Sequence, residues 1–155
     1  MDVQSAMNEL VATWSDDGGD YRSVFINPFN AEVQLEALSD ALYFIEKETK
    51  DAKLGGPLAI KRPGCNQTAC SNLLESPFSQ SSKAHIQKNI ETFQVMMKGA
   101  AGLGFDDLLV NVGAGYLVGE FDALIDQALA ILSSDDETFF SQLEALEQVV
   151  MPASV

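Results

Sequence analysis

The side chains in this chain that could do chemistry are few, and they are spread out. Its one histidine, His85, is followed by Ile86, Gln87 and Lys88 and stands one place before an apolar stripe, which puts it at the rim of a helix. Acid–base catalysis needs a titratable pair in a cleft, and a metal needs several converging ligands. No carboxylate lies four positions from His85 to share its face. Asp106 and Asp107 open a short helical segment, where carboxylates complement the positive end of the helix dipole; capping is the first reading and metal binding the second. His85, Asp106 and Asp107 are thus the metal candidates. Glu75, Glu120, Asp122 and Asp126 would hold a hard cation only if the fold gathers them, and of these Asp122 and Asp126 share a helix face.

Two cysteines, Cys65 and Cys70, lie five residues apart in one loop with Pro, Gly and Asn. That spacing lets the sulfurs meet in an oxidising compartment and leaves free thiols in a reducing one. A structural zinc site wants four ligands at closer cysteine spacing, so the pair is a poor match for it. There is no Gly-x-Ser-x-Gly elbow, no phosphate-binding loop and no His-Glu-x-x-His pair. The glycines Gly99, Gly102 and Gly104 follow a helix rather than a strand and have no lysine or hydroxyl placed for a phosphate. Close helix packing accounts for them better.

The elements that position these residues are helices. Apolar residues recur in steps of three and four in five segments. The first stripe is Val3, Met7, Leu10 and Trp14, closed by the glycines at 18 and 19. A short segment at 21–26 leads to Asn27-Pro28, and Asn30 is placed to cap a long helix over 31–53 with the stripe Leu35, Leu38, Leu42 and Ile45. Gly55, Gly56 and Pro57 stop it. Residues 58–80 form a connection longer than most, expected to be packed down or functional. Within it, Glu75, Ser76, Pro77 and Ser79 read as fixings of the loop against the bundle, with substrate contact as the alternative.

Ser81 or Ser82 then opens a helix striped by Ile86, Ile90, Phe93 and Met97, and Gly99 ends it. A short helix at 105–112 follows. The next carries Leu117, Phe121, Leu124, Ala128 and Ile131 in one line, and the last runs along Phe139, Leu143, Leu146 and Val150, opened by a Ser134–Glu137 capping box and ended by Pro152. No alternating strand is present. The expected fold is all-α, a single up-down bundle over 1–155 with about five main helices plus short ones.

A length of 155 residues matches one domain that hides about 70% of its unfolded surface. The 46% hydrophobic content and near-zero mean hydropathy exclude disorder, and the apolar runs are too short to cross a bilayer. Residues 1–14 lack the basic start of a signal peptide. With 23 acidic against 9 basic residues the formal charge is −14, which repels phosphate backbones and excludes nucleic acid as a partner. Net charge of this size is first a device for solubility.

The order of landmarks carries a resemblance. A tryptophan-ended helix precedes a Gly-Gly-Asp-Tyr turn, and a long helix closes in Lys53-Leu54-Gly55-Gly56-Pro57-Leu58. Glu75-Ser76-Pro77-Phe78-Ser79, Asn89-Ile90 and Gly99-x-x-Gly102-x-Gly104-x-x-Asp107-Leu108-Leu109 then follow. Over residues 14–132 this resembles the C-terminal half of the imelysin family.

The resemblance implies a bacterial cell-envelope protein, periplasmic or outer-membrane-associated, built from two related helical bundles. Some relatives are described as insulin-cleaving membrane proteases and others are linked to iron uptake. The family's Gly-x-His-x-x-Glu metal motif does not occur here, and the residues after His85 do not replace it. The resemblance therefore implies that iron or another divalent metal belongs to a full-length context. It leaves three readings: a non-enzymatic binding or interaction module serving metal acquisition with a missing N-terminal half or another envelope protein; a fragment of a metallopeptidase; or a structural scaffold that forms a homodimer.

Overall fold

The computed structural model describes residues 2–17, 19–60 and 65–150. Its backbone is all-α: helices and turns, with no strand among the described residues. The chain forms two compact units, Met1–Leu42 and Tyr43–Val155.

The first unit is built on short-range ties. Helix α1 (Val3–Thr13) starts where the Asp2 carboxylate accepts the Ser5 amide at 2.8 Å and ends at Trp14. Helix α2 (Asp20–Phe25) returns beneath it. The Trp14 ring sits 4.9 Å from Tyr21 and 5.2 Å from Phe25, and Arg22 pairs with Asp16 at 3.0 Å. Gly19 permits this turn, because a Cβ there would lie 2.3 Å from the Thr13 carbonyl oxygen. A 3₁₀ turn (Pro28–Asn30) runs straight into α3 (Ala31–Leu42). The capping residue is Asn27, whose side chain accepts from the Phe29 amide at 3.0 Å, and not Asn30, which donates from Nδ2 to the Val24 carbonyl. The α1 stripe is where it was expected, but Val3, Met7, Leu10 and Trp14 are all exposed, and α1, α2 and α3 contain no buried residue.

The helix expected over 31–53 is not continuous. α3 ends at Leu42, and after Tyr43 the chain resumes as a π-helix over Ile45–Gly55. Residues 46–51 are all polar, so an apolar stripe of period 3.6 has nothing to hold there. At the α-helical pitch Ile45 and Leu54 would lie about 2.5 turns apart, on opposite sides. The wider turn of i→i+5 bonding brings Ile45, Thr49 and Leu54 to one side, and each is buried or half-buried.

In the second unit α4 (Ser82–Lys98) is the hub, packing on the π-helix, α5 (Phe105–Asn111), α6 (Tyr116–Leu132) and α7 (Phe139–Val150). Ile86 and Met97 of its stripe are buried, with Ile90 and Phe93 half-buried. Gly99 ends α4 in the left-handed conformation at φ 64°, where a Cβ would strike the Leu103 carbonyl. The opening of α7 differs from the expected capping box. Thr138 supplies the cap, its Oγ1 accepting the Ser141 amide at 3.2 Å, while Ser134 donates back to Ile131 and closes α6. Pro152 lies outside the described residues. A smaller core gathers Ala69, Leu74 and Leu143, with Leu58, Phe139 and Phe140 against it, and fastens the long connection to α7.

Candidate functional site

The long connection carries six of the expected site residues, Cys65, Cys70, Glu75, Ser76, Pro77 and Ser79, with Gly55 and Pro57 just before it, and its described residues are tied down at several points. Gly55 is the buried last residue of the π-helix, and its carbonyl accepts the Ile60 amide at 2.9 Å. Pro57 is fully buried, and its carbonyl accepts the Cys70 amide at 2.7 Å. Cys65 and Cys70 are joined as a disulfide. A 3₁₀ turn (Ser71–Leu73) comes next, and Glu147 of α7 receives both the amide and the hydroxyl of Ser71.

The following residues converge on α4 and the π-helix. The Glu75 carboxylate lies 3.1 Å from Lys53 Nζ and 3.5 Å from His85 Nδ1. Ser76 Oγ is 3.3 Å from that same Nδ1, and the Ser76 amide donates to the buried Ser82 hydroxyl at 3.1 Å. Lys53 also donates to Asn89 Oδ1 at 2.8 Å. Ser79 and Ser81 exchange a hydroxyl hydrogen bond at 2.7 Å, and the half-buried Pro77 lies between these ties. Five side chains from three elements thus form one polar cluster: Lys53, Glu75, Ser76, His85 and Asn89.

A serine, an imidazole and a carboxylate in one place invite comparison with a nucleophilic triad. In a triad the two ring nitrogens serve different partners, one taking the serine proton and the other held by the carboxylate. Here both oxygens meet Nδ1, so the ring cannot take the Ser76 proton on one nitrogen while Glu75 holds it by the other. The cluster fits a divalent metal no better. The Glu75 oxygen that faces His85 is the one paired with the Lys53 ammonium, whose positive charge competes with a cation for that oxygen. No group of three or more His, Cys, Asp or Glu side chains placed to hold a metal occurs among the described residues.

Asp106 and Asp107 are not brought near His85; they cap α5. Asp107 accepts the Gly104 amide at 2.9 Å and Asp106 accepts the Asp107 amide at 3.0 Å. Gly104 is buried, and its own Cβ would meet the Met97 carbonyl. The Gly102 amide bonds the Gly99 carbonyl at 2.8 Å and tightens the same turn. Lys98 lies 2.7 Å from Asp122 and 3.6 Å from Asp106, and the Asp122 hydrogen bond holds its ammonium above the ordinary lysine range. At the other end of α4, Lys83 reaches Asp135 Oδ1 at 2.8 Å and the carbonyls of Asp135 and Glu137. That bond is the chief cause holding the Asp135 carboxyl below its usual value, helped by the Glu137 amide and Gln142.

Lys53 entered the sequence analysis only within a helix-closing landmark, and Lys83 and Glu147 not at all. Each finds its partner 22 or more positions away, and a pairing across that distance leaves no local pattern.

No curated protein and no solved structure shows significant similarity to the chain. The family model described as Imelysin matches residues 2–149, a wider span than the 14–132 on which the resemblance was read. With nearly its whole length covered by that model, the chain belongs to the imelysin family.

Proposed function

We propose that this chain is an interaction module of an imelysin-type cell-envelope protein, contributing to iron or other divalent-metal acquisition without peptidase activity of its own. The observation that carries the reading is the use made of its polar side chains. His85, Glu75 and Ser76 clasp the long connection to α4 and the π-helix, and Asp106 and Asp107 close the α4–α5 turn. Groups spent in holding a surface rigid suit recognition, since binding constellations work best when supported by fixed side chains. The disulfide accords with an oxidising location such as the periplasm. In this proposal any metal chemistry belongs to a partner or to a further segment of a longer protein.

Two measurements test it. The purified chain is incubated with unstructured peptide substrates, with added divalent metals and with chelator. Hydrolysis is expected to stay at the buffer level in each case, and cleavage that copurifies with the chain and disappears with chelator would establish the metallopeptidase reading instead. Calorimetric titration with ferrous and zinc ions, with His85→Ala as control, is expected to give no binding at micromolar metal. Tight binding lost in the variant would make the cluster a metal centre.

A further inference from the structure

Helix α6 is apolar on two faces. One carries Val118, Ile125, Leu129 and Leu132, buried or half-buried toward the bundle. The other is the straight line Leu117, Phe121, Leu124, Ala128 and Ile131, and along it Phe121, Leu124 and Ile131 are 37%, 63% and 65% exposed. A helix with two adjacent apolar lines is normally covered along both, and a contiguous apolar face left open marks an interaction surface.

Shape and charge say what covers it. At the C-terminal end of the line a cavity of about 220 Å³ opens beside Ile131, lined by Leu54, Ile86, Leu132 and Phe139 together with Lys83, Asp135 and Gln142. A ridge with an anchor pocket at one end is the arrangement that accepts an amphipathic helix: small spacings along the ridge, one large side chain in the pocket. Apart from Lys83, which is already paired with Asp135, the charge is one-sided. From Gly99 to Val155 there are ten Asp and Glu residues and no lysine, arginine or histidine. Glu120 flanks the line, and Asp135, Asp136 and Glu137 follow its end. A second copy would set this acidic surface against another of the same sign, each chain carrying −14.

We infer that the exposed face of α6 docks a cationic amphipathic helix of another polypeptide. Its apolar stripe lies along Phe121, Leu124 and Ile131, a leucine or aromatic side chain enters the cavity, and its lysines or arginines face the bordering carboxylates. This names a partner class for the interaction module proposed above and rests on that reading only in taking the chain to act through a partner.

The probe is a dye-labelled synthetic helix with leucines at i, i+3, i+4 and i+7 and lysines elsewhere, measured by fluorescence anisotropy against the full chain. A matched peptide with glutamates in place of lysines is the comparison. The lysine peptide is expected to bind at least about tenfold more tightly, with affinity falling as salt rises. Leu124→Gln and Ile131→Gln, neutral changes at exposed positions, are each expected to weaken it about tenfold with unchanged circular dichroism. Leu103→Gln, on the exposed α4–α5 turn, leaves it unaltered. Equal binding of the two peptides, no binding, or indifference to both α6 substitutions would overturn the proposal. Sedimentation that shows a dimer abolished by Leu124→Gln would overturn it too, by assigning the face to a second copy. None of these outcomes depends on peptide hydrolysis, so the docking surface can fail while the non-enzymatic reading stands.

Discussion

The Glu147 carboxylate holds Ser71 by two bonds across 76 residues of sequence, Oε1 accepting the amide at 2.5 Å and Oε2 the hydroxyl at 3.3 Å. Both contacts are partly buried, and they fasten the start of the 3₁₀ turn to α7 beside the Ala69–Leu74–Leu143 core. The long connection is therefore a packed element. Its ties to α7 are the Glu147 carboxylate and apolar contact, while the disulfide closes a ring inside it, and each can be removed separately.

Removing Glu147 leaves a partly buried amide without its charged acceptor. Glu147→Ala is expected to cost about 2 kcal/mol in urea unfolding, the usual size for a hydrogen bond to a charged group. Glu147→Gln retains one acceptor oxygen and should fall between. If the loss exceeds the noise only in proteolysis of the connection and not in global unfolding, the tether is a local one.

The disulfide closes a short ring. In the chain-entropy view a ring of this size stabilises by about 2 kcal/mol, because the unfolded chain loses little freedom when a short loop is closed. Reductant should lower the unfolding midpoint of the wild-type protein by that equivalent. The double substitution Cys65→Ala and Cys70→Ala should start from the lower value and no longer respond to reductant.

The all-α class and most helix ends were legible in the sequence, since apolar spacing and capping residues act over a few positions. Gly99 is where α4 stops, and Asn27-Pro28 marks a true boundary. The register change at Tyr43 was not legible: the polar run 46–51 is compatible with either turn size until packing chooses. The face that α6 buries was also missed, because the helix has two apolar lines and the periodicity favoured the one that Phe121, Leu124 and Ile131 leave exposed. At the site, the cap formed by Asp107 could be read from its place after Gly104. The cluster of Lys53, Glu75, His85 and Asn89 could not, as it joins three elements.

The contrast between the buried and open apolar positions gives a stability test. Leu143 is fully buried, so Leu143→Ala should cost about 3 kcal/mol through lost burial and the cavity left behind. Leu124→Ala, at 63% exposure, should cost below about 1 kcal/mol. Comparable losses at the two positions in denaturant unfolding would mean that α6 buries its other line.

The Lys83–Asp135 pair gives a pH test with a definite sign. The Lys83 hydrogen bond is the largest influence on Asp135, and it holds the folded carboxyl below its ordinary 3.8. The folded protein therefore binds this proton less readily than the unfolded chain does. The pair's contribution to stability is complete above the unfolded value and is lost as pH falls through the lower folded one. Carbon-detected NMR titration should place the Asp135 midpoint below 3.8 in the wild-type protein and return it most of the way in Lys83→Met, where the Glu137 amide and Gln142 still favour the carboxylate. Added salt should raise the wild-type midpoint, because the Asp135 side chain is 43% exposed and the attraction is screened. A midpoint unmoved by the substitution would mean that Lys83 is held by the carbonyls of Asp135 and Glu137 alone, leaving the α6–α7 turn without its charged tie.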